Sequence, residues 1–132
     1  MATTWTTTIQ WNDGYQNISK TNTVSDDQNL SIDVSLTASQ ANKQHNCNIV
    51  ASRMAGYFFS FTGDCTIFVN DASGGSPAAT IYCKGGVPVF WTTDDHSSRN
   101  QLSGLTITNL YITDTSSSVN TGSIKFLYDP TP

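Results

Sequence analysis

Apolar and polar residues alternate one for one along much of this chain, which is the period of a half-buried β-strand. Trp5, Thr7, Ile9 and Trp11 set the pattern first. Asn12-Asp13-Gly14 follows as a tight-turn signal. The chain then returns through Tyr15 to Val24, with Ile18 and Val24 turned inward. Residues 1–24 read as a β-hairpin, and the phase shared by Trp5, Ile9 and Trp11 places both tryptophans in the core. Asp26-Asp27 marks a turn, and Leu30, Ile32, Val34 and Leu36 make the cleanest period-two run in the sequence.

Residues 37–46 are polar and predict a loop. From Cys47 the chain turns apolar: Cys47 and Ile49, then Tyr57, Phe59 and Phe61, share one face of broken strands, with Gly56 allowing a bend. Gly63-Asp64 turns the chain into Cys65, Ile67 and Val69. Residues 70–78 form a loop tip, and 80–83 a short strand. Pro88 lacks a backbone donor, so the strand at residues 87–91 belongs at an edge or a bulge. Residues 92–104 are the most polar loop. Leu105 and Ile107, then Leu110 and Ile112, mark a strand whose phase slips near Asn109, the signature of a β-bulge. A Ser-rich tip precedes the last strand, in which Ile124, Phe126 and Tyr128 point inward. Eight to ten short strands at this spacing predict an all-β fold: a single antiparallel β-sandwich or jelly-roll-like domain over residues 1–132.

Composition strengthens that reading. The chain has no glutamate, while Thr, Ser and Asn supply 46 of its 132 residues. Helix-forming residues are scarce, threonine suits a pleated strand, and Ser and Asn bond their own backbone in turns. Charged residues are 12% of the chain, too few for a self-repelling disordered polymer. The net charge is −4 and the six basic residues are scattered, so no basic stripe for nucleic acid exists. No stretch reaches the length of a membrane span, and the N-terminus lacks the pattern of a signal peptide. Asn17-Ile18-Ser19 and Asn29-Leu30-Ser31 match the glycosylation sequon, but in a chain this rich in Asn and Ser such matches arise by chance.

Candidate chemistry is thin. Cys47, Cys65 and Cys83 match no paired metal or redox spacing. They read first as small buried hydrophobes in a reducing cytosol, and second as a Cys65–Cys83 bridge between neighbouring strands. Asp94-Asp95-His96 is the one local titratable cluster, and it reads as a solvated loop. His45, Cys47 and His96 lack a fourth zinc ligand. The loop aspartates Asp26, Asp27, Asp64, Asp71, Asp94 and Asp95 lack the ordered spacing of a calcium loop. There is no G-x-S-x-G elbow, and Gly74-Gly75 lacks the strand–loop–helix context of a phosphate cradle. The expectation is a non-enzymatic protein with no cofactor and no metal. Trp91, at a strand end beside the polar loop, is the aromatic expected at an exposed contact.

Three stretches together carry a resemblance. They are Trp11-Asn12-Asp13-Gly14 through Ile18-Ser19-Lys20-Thr21, then Val69-Asn70-Asp71 through Gly85-Gly86-Val87-Pro88-Val89-Phe90-Trp91, then Leu105 through Asp129-Pro130-Thr131-Pro132. In this order the chain resembles small β-sandwich virion proteins of tailed bacteriophages and related prophages, of the capsid decoration or cement kind. The shared motifs are a turn, a Gly-x-Pro-x-x-Trp segment and an Asp-Pro-Thr-Pro tail, all structural rather than catalytic. The resemblance implies a virion protein, assembled in the bacterial cytoplasm, that binds the major capsid protein on the head exterior as a homotrimer or other homo-oligomer. It implies no nucleic acid or membrane partner. A carbohydrate-binding tail or receptor module is the rival reading. The last strand is expected at a sheet edge, with Asp129, Pro130 and Pro132 in an extended arm. The first hairpin and this tail are expected to make the contacts, with the tips at 70–78 and 116–120 facing solvent.

Overall fold

The alternating segments become ten antiparallel strands in the computed structural model, which describes residues 3–130. They are β1 (Thr3–Asn12), β2 (Asn17–Asp26), β3 (Gln28–Leu36), β4 (Lys43–Val50), β5 (Met54–Phe61), β6 (Cys65–Val69), β7 (Ala79–Cys83), β8 (Val89–Thr92), β9 (Thr106–Asp114) and β10 (Asn120–Tyr128). Among the described residues there is no α-helix, only 3-10 turns at Ala51–Arg53 and Ser97–Arg99. No helix of the described residues is therefore long and apolar enough to cross a membrane.

Eight strands form two four-stranded sheets, ordered β3-β10-β5-β8 and β4-β9-β6-β7. Counted from β3, the first, eighth, third and sixth strands face the second, seventh, fourth and fifth. That interleaved order is the arrangement of a jelly roll. Among the described residues β1 and β2 pair only with each other, as a two-stranded arm.

Period two explains the core. One side of each strand turns between the sheets, bringing Leu36, Phe59, Ile124 and Phe126 against Ile49, Ile67, Ile81, Ile107, Leu110 and Ile112, all fully buried. Tyr57 stacks on Phe59 at 5.1 Å, and Phe59 meets Phe126 edge-on at 5.7 Å. Both are favourable aromatic geometries. Gly122 lies where a Cβ would collide with the Phe61 ring and the Ser60 carbonyl, so only glycine lets β10 lie this close to β5.

Buried polar groups cluster where the two sheets' loops meet. The Asn120 side chain donates to the Gly63 carbonyl at 2.9 Å and accepts from the Gly63 N–H at 3.0 Å. Asp114 accepts from the Ser116 hydroxyl at 2.6 Å and its N–H at 2.8 Å. Burial works against the Asp114 charge. Bonds from Ser116, Asn120 and the Ser39 N–H outweigh it and leave the pKa below the ordinary 3.8.

Several expectations change. The last strand, β10, is central rather than an edge, paired to β3 on one side and β5 on the other. The polar run at 37–46 is a loop only to residue 42, because Lys43–Val50 pairs with β9. The irregularity foreseen near Asn109 falls in that pairing, where the register shifts between Asn46 and Ile49. Asn120, placed at a solvated tip, is fully buried. Pro88 does sit where expected, directly before β8, an edge strand.

Candidate interaction surface

The arm is built by its turn and by two unlike faces. Asp13 Oδ1 accepts from the N–H groups of Tyr15 (2.9 Å) and Gln16 (2.8 Å), and Asn12 Oδ1 from that of Gly14 (2.9 Å). Gly14 takes φ +89°, the left-handed region that glycine enters without strain. The two backbone bonds hold the Asp13 pKa below its usual value, so the arm tip is anionic at neutral pH.

Register then sorts the side chains. Thr4, Thr6, Thr8 and Gln10 lie opposite Ser25, Thr23, Thr21 and Ser19 on one face. Hydroxyl pairs link them at Thr4–Ser25 (2.7 Å) and Thr8–Thr21 (3.0 Å). The other face carries Trp5, Thr7, Ile9 and Trp11 opposite Val24, Asn22, Lys20 and Ile18.

Only the base of this second face is covered. Trp5 and Val24 pack on Ala55 and Leu127 of the sandwich. The Trp5 indole N–H donates to Asn29 Oδ1 at 3.1 Å. Gly56 lies beneath, where a Cβ would stand 3.1 Å from the indole and 2.9 Å from the Trp91 carbonyl. The absent side chain makes the seat. Beyond it Ile9, Trp11 and Ile18 are 56, 66 and 39% exposed, and Tyr15 at the turn is 99% exposed. Trp11, expected in the core, therefore lies outside it. The arm folds against its own partner strand, and the sandwich ends before it can cover the tip.

Between arm and sandwich runs an open cleft of about 700 Å³. Thr4 through Gln10 line one wall. Phe58, Pro88, Phe90 and Lys125 lie on the other. Among the described residues, Lys125 is the one charged residue that lines it.

The other sequence candidates do not converge. Trp91, expected at an exposed contact, is only 6% exposed. It stacks on Tyr57 at 6.3 Å, and its indole N–H donates to the His96 carbonyl at 3.1 Å. β8 turns it inward and the 92–104 loop closes over its polar edge. Asp129 extends the last strand by one backbone bond to the Arg53 carbonyl (2.9 Å), and Pro130 is exposed. Pro132 lies outside the described residues.

The titratable groups serve local structure. Asp95 accepts from the Ser97-side neighbour His96 through its N–H (2.7 Å) and pairs with Arg99 at 3.4 Å. The His96 ring accepts from the Ser98 N–H at 3.1 Å, capping the second 3-10 turn. Burial lowers the His45 pKa below its ordinary value, with Lys43 adding to the effect. Burial likewise pushes the Cys47 thiol up to about 11. Among the described residues no three His, Cys or Asp groups gather as a metal site would require.

Comparison with known proteins leaves the surface to speak for itself: no family model, no curated protein and no solved structure matches the chain.

Proposed function

We propose that this chain is a non-enzymatic bacteriophage virion structural protein of the capsid decoration kind, which grips its neighbours through the β1–β2 arm. The observation that carries the reading is the half-covered apolar face of that arm. A strand pair that projects Ile9, Trp11 and Ile18 into solvent is poorly explained by monomer stability, since an isolated two-stranded ribbon is marginal in water. It is well explained as an anchor. Aromatic residues dominate the energetics of protein contacts when a partner's pocket desolvates them. The jelly roll adds a rigid platform, although fold alone assigns no function. The partner is the major capsid protein on the head exterior, with further copies of this chain completing a trimer or other homo-oligomer. Asp129, Pro130 and Pro132 are secondary contact candidates beside the arm.

Co-sedimentation with expanded empty capsids tests this. The full chain should pellet with capsids, and a chain carrying Trp11→Ser and Ile18→Ser should stay in the supernatant while remaining folded. Equal binding by both proteins would overturn the role of the arm. A folded full-length protein that ignores capsids and stays monomeric would overturn the decoration reading.

A carbohydrate-binding module is the second reading, favoured by the cleft of about 700 Å³ with Phe58 and Phe90 in its wall. It ranks below the first because, among the described residues, no Asp or Asn lines that cleft to bond sugar hydroxyls. A glycan array distinguishes the two.

A further inference from the structure

Cys65 and Cys83 occupy directly opposed positions in the β6–β7 ladder. Both point into the core, at 2 and 5% exposure. Opposed residues in an antiparallel pair have Cα atoms about 4.5 to 5.5 Å apart. That separation lies inside the range of about 4.4 to 6.8 Å that a disulfide spans. The register thus brings two free thiols to bridging distance without any change of backbone. Cys47 is excluded as a partner. It lies on β4, at the opposite edge of the same sheet from β7, with β9 and β6 between. Neighbouring strands are about 4.8 Å apart, so Cys47 is two strand spacings from β6 and three from β7.

We propose that Cys65 and Cys83 form an oxidation site that closes a cross-strand disulfide within the folded protein, with a peroxide as the oxidant. The Cys65 side chain beside it lowers the Cys83 pKa, while the neighbouring thiol and burial raise that of Cys65, so Cys83 is the more readily ionised of the two. The Cys83 thiolate attacks one peroxide oxygen, the O–O bond breaks, and the leaving hydroxide takes up a proton to give water. The Cys65 sulfur then attacks the resulting sulfenic acid, the S–O bond breaks, and a second water leaves. Two thiols and one hydrogen peroxide become one disulfide and two waters. The bridge would tie the edge strand β7 to β6 and close a loop over the 17 residues between the cysteines. Reducing compartments hold such a site open and oxidising surroundings close it. The inference is independent of the decoration reading.

The test uses the folded full-length protein. Hydrogen peroxide is added, then removed, and remaining thiols are alkylated in guanidinium before trypsin digestion. No Lys or Arg lies between the two cysteines, so both fall in the peptide 54–84, while Cys47 falls in 44–53. The expected result is an unlabelled 54–84 peptide lighter by two hydrogens, a labelled 44–53 peptide, and a melting temperature raised by several degrees and restored by dithiothreitol. Two labels on 54–84, over-oxidised cysteines without a bridge, or a bridge to Cys47 or to a second chain would each overturn the assignment. Cys47→Ser should leave the expected pattern on 54–84 unchanged.

Discussion

The arm and the sandwich are written in the same alternating code, yet one is covered and the other is not. β3 alternates Leu30, Ile32, Val34 and Leu36, and β1 alternates Trp5, Ile9 and Trp11 with equal regularity. The β3 residues pack into the intersheet core, with Leu36 fully buried; of the β1 residues only Trp5 finds a seat. The difference lies across the strand. β3 meets Ile124 and Phe126 on β10, whereas the inner face of β1 meets Asn22 and Lys20 as often as Val24 and Ile18. Alternation specifies a face; only the partner's residues decide whether that face is worth burying.

The largest test of this contrast is a matched truncation. Phe59→Ala removes a fully buried ring stacked on Tyr57 and should cost about 3–5 kcal/mol in urea denaturation. Trp11→Ala, a residue of similar bulk, should change stability by no more than about 0.5 kcal/mol. A large loss from Trp11→Ala would show that the arm belongs to the core after all.

A second test breaks the joint between the regions. Gly56→Val places a branched side chain against the Trp91 carbonyl and the Trp5 ring and should cost about 1–3 kcal/mol through overpacking. The arm should lift, exposing Trp5 and making residues 3–26 sensitive to protease before the sandwich unfolds. Uniform protection would mean that the two regions unfold as one unit.

Acid sharpens the comparison. Asp114 in the sandwich and Asp13 in the arm turn both have lowered pKa values, as does Asp71 in the 70–78 loop. A folded-state pKa below the unfolded one gives stability that is present above the unfolded value and lost as pH falls through the folded one. The urea midpoint should therefore decline below about pH 4, near the ordinary aspartate value. Asp114→Asn should weaken that dependence and lower stability at pH 7. Asp13→Asn should leave the global midpoint almost unmoved and loosen only the arm, read as faster amide exchange at Tyr15 and Gln16.

The smallest effect on stability, and the largest on assembly, is expected from Trp11→Ser with Ile18→Ser. The monomer should melt within a degree or two of the parent, and self-association measured by sedimentation should be lost. Unchanged association would move the contact surface off the arm.

Much of this architecture was legible in the residues. The Asn12-Asp13-Gly14 turn, the β3 alternation, the edge placement forced by Pro88 and the adjacency of the Cys65 and Cys83 strands all follow from local chemistry. Strand order does not. Nothing in Ile124, Phe126 and Tyr128 says that two strands will flank them rather than one, because period two is the same at an edge and in the centre. Trp91 was misplaced for a related reason. A tryptophan beside a polar loop looks exposed until that loop, through the His96 carbonyl, folds over to take its N–H. The proposed contact surface was half visible: the hairpin could be read, while the space at Gly56 that seats it depends on a tryptophan fifty-one positions away.

The place of β10 also sets when the protein can exist during its own synthesis. Among the described residues β3 has no sheet partner other than β10, and β5 keeps only β8 without it. A ribosome must therefore release the chain through Tyr128 before the sheet that begins at Gln28 can close fully, and pairing segments so distant in sequence is intrinsically slow. Until then the nascent chain shows its apolar strands to chaperones and proteases. A message cut short or a frameshift before Asn120 should yield no folded sandwich. One strand, β10, thus decides whether the sheet exists at all.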